Sequence, residues 1–100
     1  MDRLEFHQKL CDILGSNHVY FQPPSSMKIE YPAIIYKLDN VRTRKADNDL
    51  YLSHKCITVT VVHKDPDNDV YMRLLKLPMS SFDTSYQKDN LNHYVLSIYI

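Results

Sequence analysis

The stretch Cys56-Ile57-Thr58-Val59-Thr60-Val61-Val62 decides the fold. It is rich in β-branched residues, and it alternates. Ile57, Val59 and Val61 point one way, while Cys56, Thr58, Thr60 and Val62 point the other. A strand of this kind needs a sheet with one face buried. Just downstream, Lys64-Asp65-Pro66-Asp67 changes the pattern. An acidic cap, a proline at the first helical position, and Asp67 and Asp69 in the positive first turn predict a helix that opens at Asp65-Pro66. Val70, Leu74 and Leu77 line one of its faces, Lys76 suits its negative end, and Pro78 stops it.

Upstream of the strand, Asp39 to Lys55 is the least core-like part of the chain. It sets Arg42, Arg44 and Lys45 against Asp39, Asp47 and Asp49, with Val41, Ala46, Leu50, Tyr51 and Leu52 as its apolar members. A connection this long in a small domain is functional or disordered more often than not. The alternation of its second half favours an arm that prolongs the flanking strands into a long hairpin. The strand before it is Ala33 to Leu38, with Pro32 at its edge. Before that, Pro23 to Glu30 reads as a loop and Val19 to Gln22 as a short extended piece.

At the N-terminal end, Asp2 and Glu5 form a capping pair and Gly15 is a natural stop, which predicts a helix over about 3–14. Phe6, Leu10, Ile13 and Leu14 fall on one side of it, and Leu4, His7 and Cys11 make a thinner stripe beside them. After the second helix, Met79 to Asn92 reads as a polar connection with at most a short extended piece near Phe82. Tyr94 to Ile100 then alternates as a last strand, with Leu96, Ile98 and Ile100 on one face. The expected fold is therefore a single α+β domain over residues 1–100, in the order α-β-β-β-α-β. Two helices pack on one face of a small, mainly antiparallel sheet. The other face shows Thr58, Thr60, Ser97 and tyrosines, a surface suited to burial against a neighbour.

Composition narrows the function. Twelve Lys and Arg balance twelve Asp and Glu. A dedicated nucleic-acid binder depends on surplus basic charge to neutralise phosphates. Arg42, Arg44 and Lys45 form the one basic cluster, and acidic residues flank it, so a solvated or salt-bridged arm fits better than a DNA-reading surface. With Gly15 as the single glycine, the phosphate-cradling loops of nucleotide-binding proteins have no place to form. Cys11 and Cys56 make no disulfide framework, the N-terminus carries no signal-like segment, and no apolar run is long enough to span a membrane. The expectation is a soluble protein made in a reducing cytoplasm, with no membrane partner.

Candidate chemistry is sparse. His7 and Cys11 have a helical i, i+4 spacing that can hold zinc, but no second ligand pair accompanies them. His63, Asp65 and Asp67 form a run that could hold a divalent ion for a small metal-dependent enzyme, yet capping of the second helix already accounts for both carboxylates and for Pro66. No serine or cysteine sits in a recognisable nucleophile motif. The expectation is no catalytic residue, no metal and no cofactor, with eight tyrosines available for protein contacts.

Several segments resemble a known family. They are Tyr20-Phe21-Gln22-Pro23-Pro24, Tyr31-Pro32-Ala33-Ile34-Ile35-Tyr36, Thr58-Val59-Thr60-Val61 and Lys64-Asp65-Pro66-Asp67, followed by Leu77-Pro78, Ser81-Phe82-Asp83 and Asp89-Asn90-Leu91-Asn92-His93. Together they resemble the tail terminator (tail completion, tail-to-head joining) proteins of siphophages and prophages of Gram-positive bacteria. The resemblance implies a structural virion protein. Its copies would form a homo-oligomeric, hexameric ring that caps the tail tube and joins it to the neck of the head. Implied partners are other copies of the chain, the tail tube protein and a head or neck connector, with DNA passing through the lumen without sequence-specific binding. The implied location is the head-proximal end of the tail. A head-completion or other neck subunit of the same virion is the alternative. The resemblance implies no catalytic residue, and it places assembly in the arm, at Val41, Arg42, Arg44, Lys45, Asp47, Asp49, Leu50 and Tyr51.

Overall fold

In a computed structural model, the backbone is described for residues 2–46, 49–65 and 67–100, and the side chains for 2–39, 55–65 and 67–100. The first helix, α1 (Arg3–Leu14), opens where the Asp2 carboxylate accepts the Glu5 N–H at 2.8 Å. That bond satisfies one of the N–H groups a helix start leaves without a partner. The helix ends at Gly15, whose φ of 81° is left-handed and whose N–H donates to the Cys11 carbonyl. Phe6 and Leu10 are fully buried, and Cys11, Ile13 and Leu14 pack around them. Leu4 stays 69% exposed, so the thinner apolar stripe beside the core is only partly used.

Five strands follow: β1 (Val19–Phe21), β2 (Ala33–Ala46), β3 (Asp49–His63), β4 (Ser80–Lys88) and β5 (Leu91–Tyr99). They form one sheet in the order β1-β2-β3-β5-β4. Only β1 and β2 run parallel; the other three pairs are antiparallel. Register carries one row across all five strands, Phe21–Tyr36–Val59–Leu96–Phe82, on the face that meets the helices. The adjacent row, Tyr20–Ile35–Thr60–Val95–Thr84, points the other way, because successive strand residues alternate faces.

Between β3 and β4 lies α2 (Val70–Leu74). Its Val70 and Leu74 join Phe6 and Leu10 against Ile34, Tyr36, Ile57, Val59, Val61, Leu96 and Ile98 in one core. Both helices thus cover the same face, and each fully buried aliphatic or aromatic side chain contributes roughly 1.5–3 kcal/mol. The fold is α+β with two helices on one face of a mainly antiparallel sheet.

Three details differ from the sequence expectation. The second helix spans only Val70–Leu74, starting after Asp65-Pro66 and ending before Leu77-Pro78; Pro66 lies outside the described residues. Asp65 accepts the Asp67 N–H at 2.9 Å and Asn68 accepts the Val70 N–H at 2.9 Å, so two local side-chain turns precede the helix. Asp69 occupies the cap position, but its carboxylate makes no capping hydrogen bond and pairs instead with Arg73 at 3.3 Å. Next, the segment read as a polar connection contains β4, a nine-residue strand. It joins β5 through Asp89 and Asn90, both at positive φ (53° and 63°), the geometry of a tight two-residue hairpin. Finally, β5 begins at Leu91 rather than Tyr94, so the order runs α-β-β-β-α-β-β.

Candidate assembly surface

The long connection is a ribbon. From Cys56 to His63, β3 is held by β2 on one side and β5 on the other. The last hydrogen bonds on the β5 side are a reciprocal pair between Lys55 and Ile100, at 3.0 and 2.9 Å. Beyond them β2 and β3 continue as two strands paired only with each other, among the described residues. Val41 lies opposite Lys55, Arg42 opposite His54, Thr43 opposite Ser53, and Arg44 opposite Leu52. Lys45 then lies opposite Leu50 and Ala46 opposite Asp49. Register shifts leave Asp39 and Tyr51 as extra residues, the kind of irregularity that bends and twists a ribbon. The fifteen residues of β3 reach roughly 50 Å at the usual strand rise, in keeping with a longest dimension of 51 Å.

Of the arm residues singled out in the sequence, Val41, Arg42, Arg44, Lys45, Asp49, Leu50 and Tyr51 belong to the two ribbon strands. Asp47 lies outside the described residues, as do the side chains of all eight. The expected hairpin is present at the level of backbone pairing. An isolated two-stranded ribbon is marginally stable in water and gains from a third strand or a packing partner.

The second exposed feature is the sheet face away from the helices. Ile35, Thr58, Thr60, Val95, Ser97 and Tyr99 lie there half-buried. An open trough of about 370 Å³ runs along it, lined by Ile35, Lys37, Thr58 and Thr60 with Gln22 and Pro23 at one end. The predicted face of Thr58, Thr60 and Ser97 is therefore in place, with Tyr20, Tyr86 and Tyr99 on the same side by register. Tyr86 stacks on His93 at 4.6 Å with ring planes 8° apart.

The residues screened for chemistry have structural surroundings. The Tyr36 hydroxyl lies 2.7 Å from His7 Nδ1 and accepts from the Arg3 guanidinium at 3.4 Å, so this fully buried tyrosine ties α1 to β2. Burial pushes the Cys11 thiol above its ordinary pKa, and the charge of Asp12 adds to the effect, which disfavours the reactive thiolate. His63 is only 1% exposed, and neither ring nitrogen finds a hydrogen-bond partner among the described residues. Its ring packs on Tyr94 at 5.0 Å. Among the described residues, His63, Asp65 and Asp67 do not converge with a further ligand into a metal cluster, and neither do His7 and Cys11. No helix among the described residues is long and apolar enough to cross a membrane.

Sequence reasoning missed one exposed element, β4. Its signal was Asp89-Asn90, two residues that tolerate left-handed backbone, between runs that could pair. The fold and these surfaces define an α+β domain with a projecting two-stranded ribbon, an edge strand with one side unpaired among the described residues, and a sheet face that stays half-buried along its middle. No protein-family model, curated protein or solved structure matches the chain.

Proposed function

We propose that this protein is a structural subunit of a phage virion, a tail terminator whose copies form a ring on the head-proximal end of the tail tube. The observation that carries the reading is the ribbon formed by Val41–Ala46 and Asp49–Lys55, which projects past the last bond to β5 and has no third strand among the described residues. A chain that extends such a ribbon from a packed sheet gains stability by docking it on another subunit. Balanced charge and the segments resembling tail terminators support the same reading. The function is geometric: the ring ends the tube, presents a surface to the neck, and leaves a lumen for DNA. In a closed ring each contact is heterologous, so two different patches of one subunit must fit each other.

Electron microscopy of the purified protein, alone and mixed with tail tubes, tests this. Rings seated on tube ends are expected. Deleting residues 42–49 removes the β2 side of the ribbon beyond Val41 and should leave the sheet and helices folded while abolishing the rings. A wild-type protein that stays monomeric beside tail tubes defeats the proposal, and rings formed by the deletion variant defeat the role given to the arm. Rings that bind head connectors but ignore tubes would move the subunit to another position in the neck.

A further inference from the structure

Both ends of the sheet carry edges with no strand partner among the described residues. At one end, β4 pairs with β5 on one side, and its other side meets no strand among the described residues. All of its side chains after Ser80 are exposed. Proteins usually guard such an edge with proline, charge or bulges. Here residues 80–88 hold no proline. One register shift falls at Asp83, whose carboxylate accepts the Ser97 hydroxyl. From Thr84 to Lys88 the register against β5 is unbroken, which leaves a regular edge about 17 Å long at the usual strand rise.

At the other end, β1 covers β2 only over Ile34–Tyr36. The Gln22 side chain extends that cover by one bond, accepting the Leu38 N–H at 3.1 Å. From Asp39 to Ala46 the outer edge of β2 has no strand partner among the described residues. These eight residues match the nine of β4 in length. The strand senses match as well. β2 opposes β3, β3 opposes β5 and β5 opposes β4, so β4 runs opposite to β2. Two copies set side by side in the same orientation therefore bring β4 and β2 together as an antiparallel pair, the more stable ladder.

We infer that the open edge of β4 in one copy pairs with the outer edge of β2, residues Asp39–Ala46, in the next copy. This rests on the ring reading and names the strand that receives the arm. Within one chain the two edges lie at opposite ends of the sheet, so the contact forms between copies. It gives the ribbon its third strand and covers the edge of β4 in one step. Because the two edges differ, the contact is heterologous and propagates around a ring.

The test uses the full chain with Ser85→Pro and, separately, Tyr86→Pro. Neighbouring N–H groups in a strand face opposite edges, so one proline removes an outward donor while the other breaks the ladder with β5. Circular dichroism identifies the variant that keeps the fold, and sedimentation velocity over a concentration series reads its assembly. That variant should assemble at least tenfold more weakly than wild type; assembly at wild-type strength overturns the assignment. A second measurement covers the case in which both prolines unfold the chain. Ser85→Cys and Thr43→Cys copies, each also carrying Cys11→Ala and Cys56→Ala, are mixed and oxidised. A disulfide-linked pair found only in the mixture supports the contact. A link formed by Ser85→Cys copies alone shows a two-fold β4–β4 dimer instead and overturns it, as do assembled rings with no link. Wild type that never self-associates removes the ring reading together with this contact, whereas assembly indifferent to β4 removes this contact alone.

Discussion

Replacing His63 by leucine should flatten the acid sensitivity of the fold. His63 sits at the end of β3, with 1% of its surface exposed and both ring nitrogens lacking hydrogen-bond partners among the described residues. Its burial lowers the ring's pKa from the ordinary 6.5. The Asp65 backbone and carboxylate oppose that shift, and nearby His93 adds to it. The unfolded chain therefore takes up a proton near pH 6.5 while the folded chain resists it. Stability that depends on the neutral ring is fully present above that pH, and it is lost as the pH falls toward the depressed folded value. If the folded ring stays neutral, the loss between pH 7.5 and 5.5 reaches about 1.4 kcal/mol, one pH unit's worth of linkage. For a domain of this size that corresponds to roughly 5–10 °C in melting temperature. Urea titrations of wild type and His63→Leu at both pH values measure it, and the difference between the two proteins cancels the other histidines. The variant should lose less stability than wild type between the two pH values, by up to about 1.4 kcal/mol. Equal losses in the two proteins would refute the reasoning.

Tyr36→Phe keeps the ring packing of the core but deletes the hydroxyl that meets His7 and Arg3; it should cost about 1 kcal/mol, read as a lower urea midpoint with an unchanged slope. Gly15→Ala should cost roughly 1 kcal/mol through backbone strain alone, because φ is 81° and an added Cβ meets nothing within 4 Å. Thermal melts of Gly15→Ala and Gly15→Asn check this, with asparagine expected to lose less because it tolerates the left-handed region.

Elements that bury one face were the legible ones. Ile57, Val59 and Val61 reach the core while Thr58 and Thr60 stay half-exposed, so burial alternates over 57–61; Cys56 and Val62, on the face of the threonines, are buried as well. The first helix was equally plain, because Asp2 and Gly15 do at its ends what their side chains and backbone preferences predict. β4 was hidden for the opposite reason. It is an edge with both faces largely open to solvent, so Ser80 to Lys88 carries no burial pattern to read. The start of the second helix was misread because Asp65 and Asn68 bond the backbone locally and hold it out of the helix until Val70. Strand order was not readable at all. The parallel pairing of β1 with β2, and the place of β5 between β3 and β4, depend on contacts between distant residues. For the proposed assembly surface, the charge pattern of residues 39–55 marked the arm. The edge of β4 left no such mark.

The chain has no tryptophan, so its near-ultraviolet signal comes from tyrosine and phenylalanine. Tyr71 in α2 lies 4.5 Å from Tyr94 in β5, and Phe82 and His63 flank the pair at ring distances of 5.0–6.3 Å. A five-residue helix held to the sheet through an aromatic contact of this kind carries its own optical gauge. If α2 lifts from the sheet, the asymmetric setting of both rings is lost and near-ultraviolet dichroism falls, while the far-ultraviolet signal of the five-stranded sheet persists. The spectrum can therefore tell a local release of this helix from global unfolding with no added label.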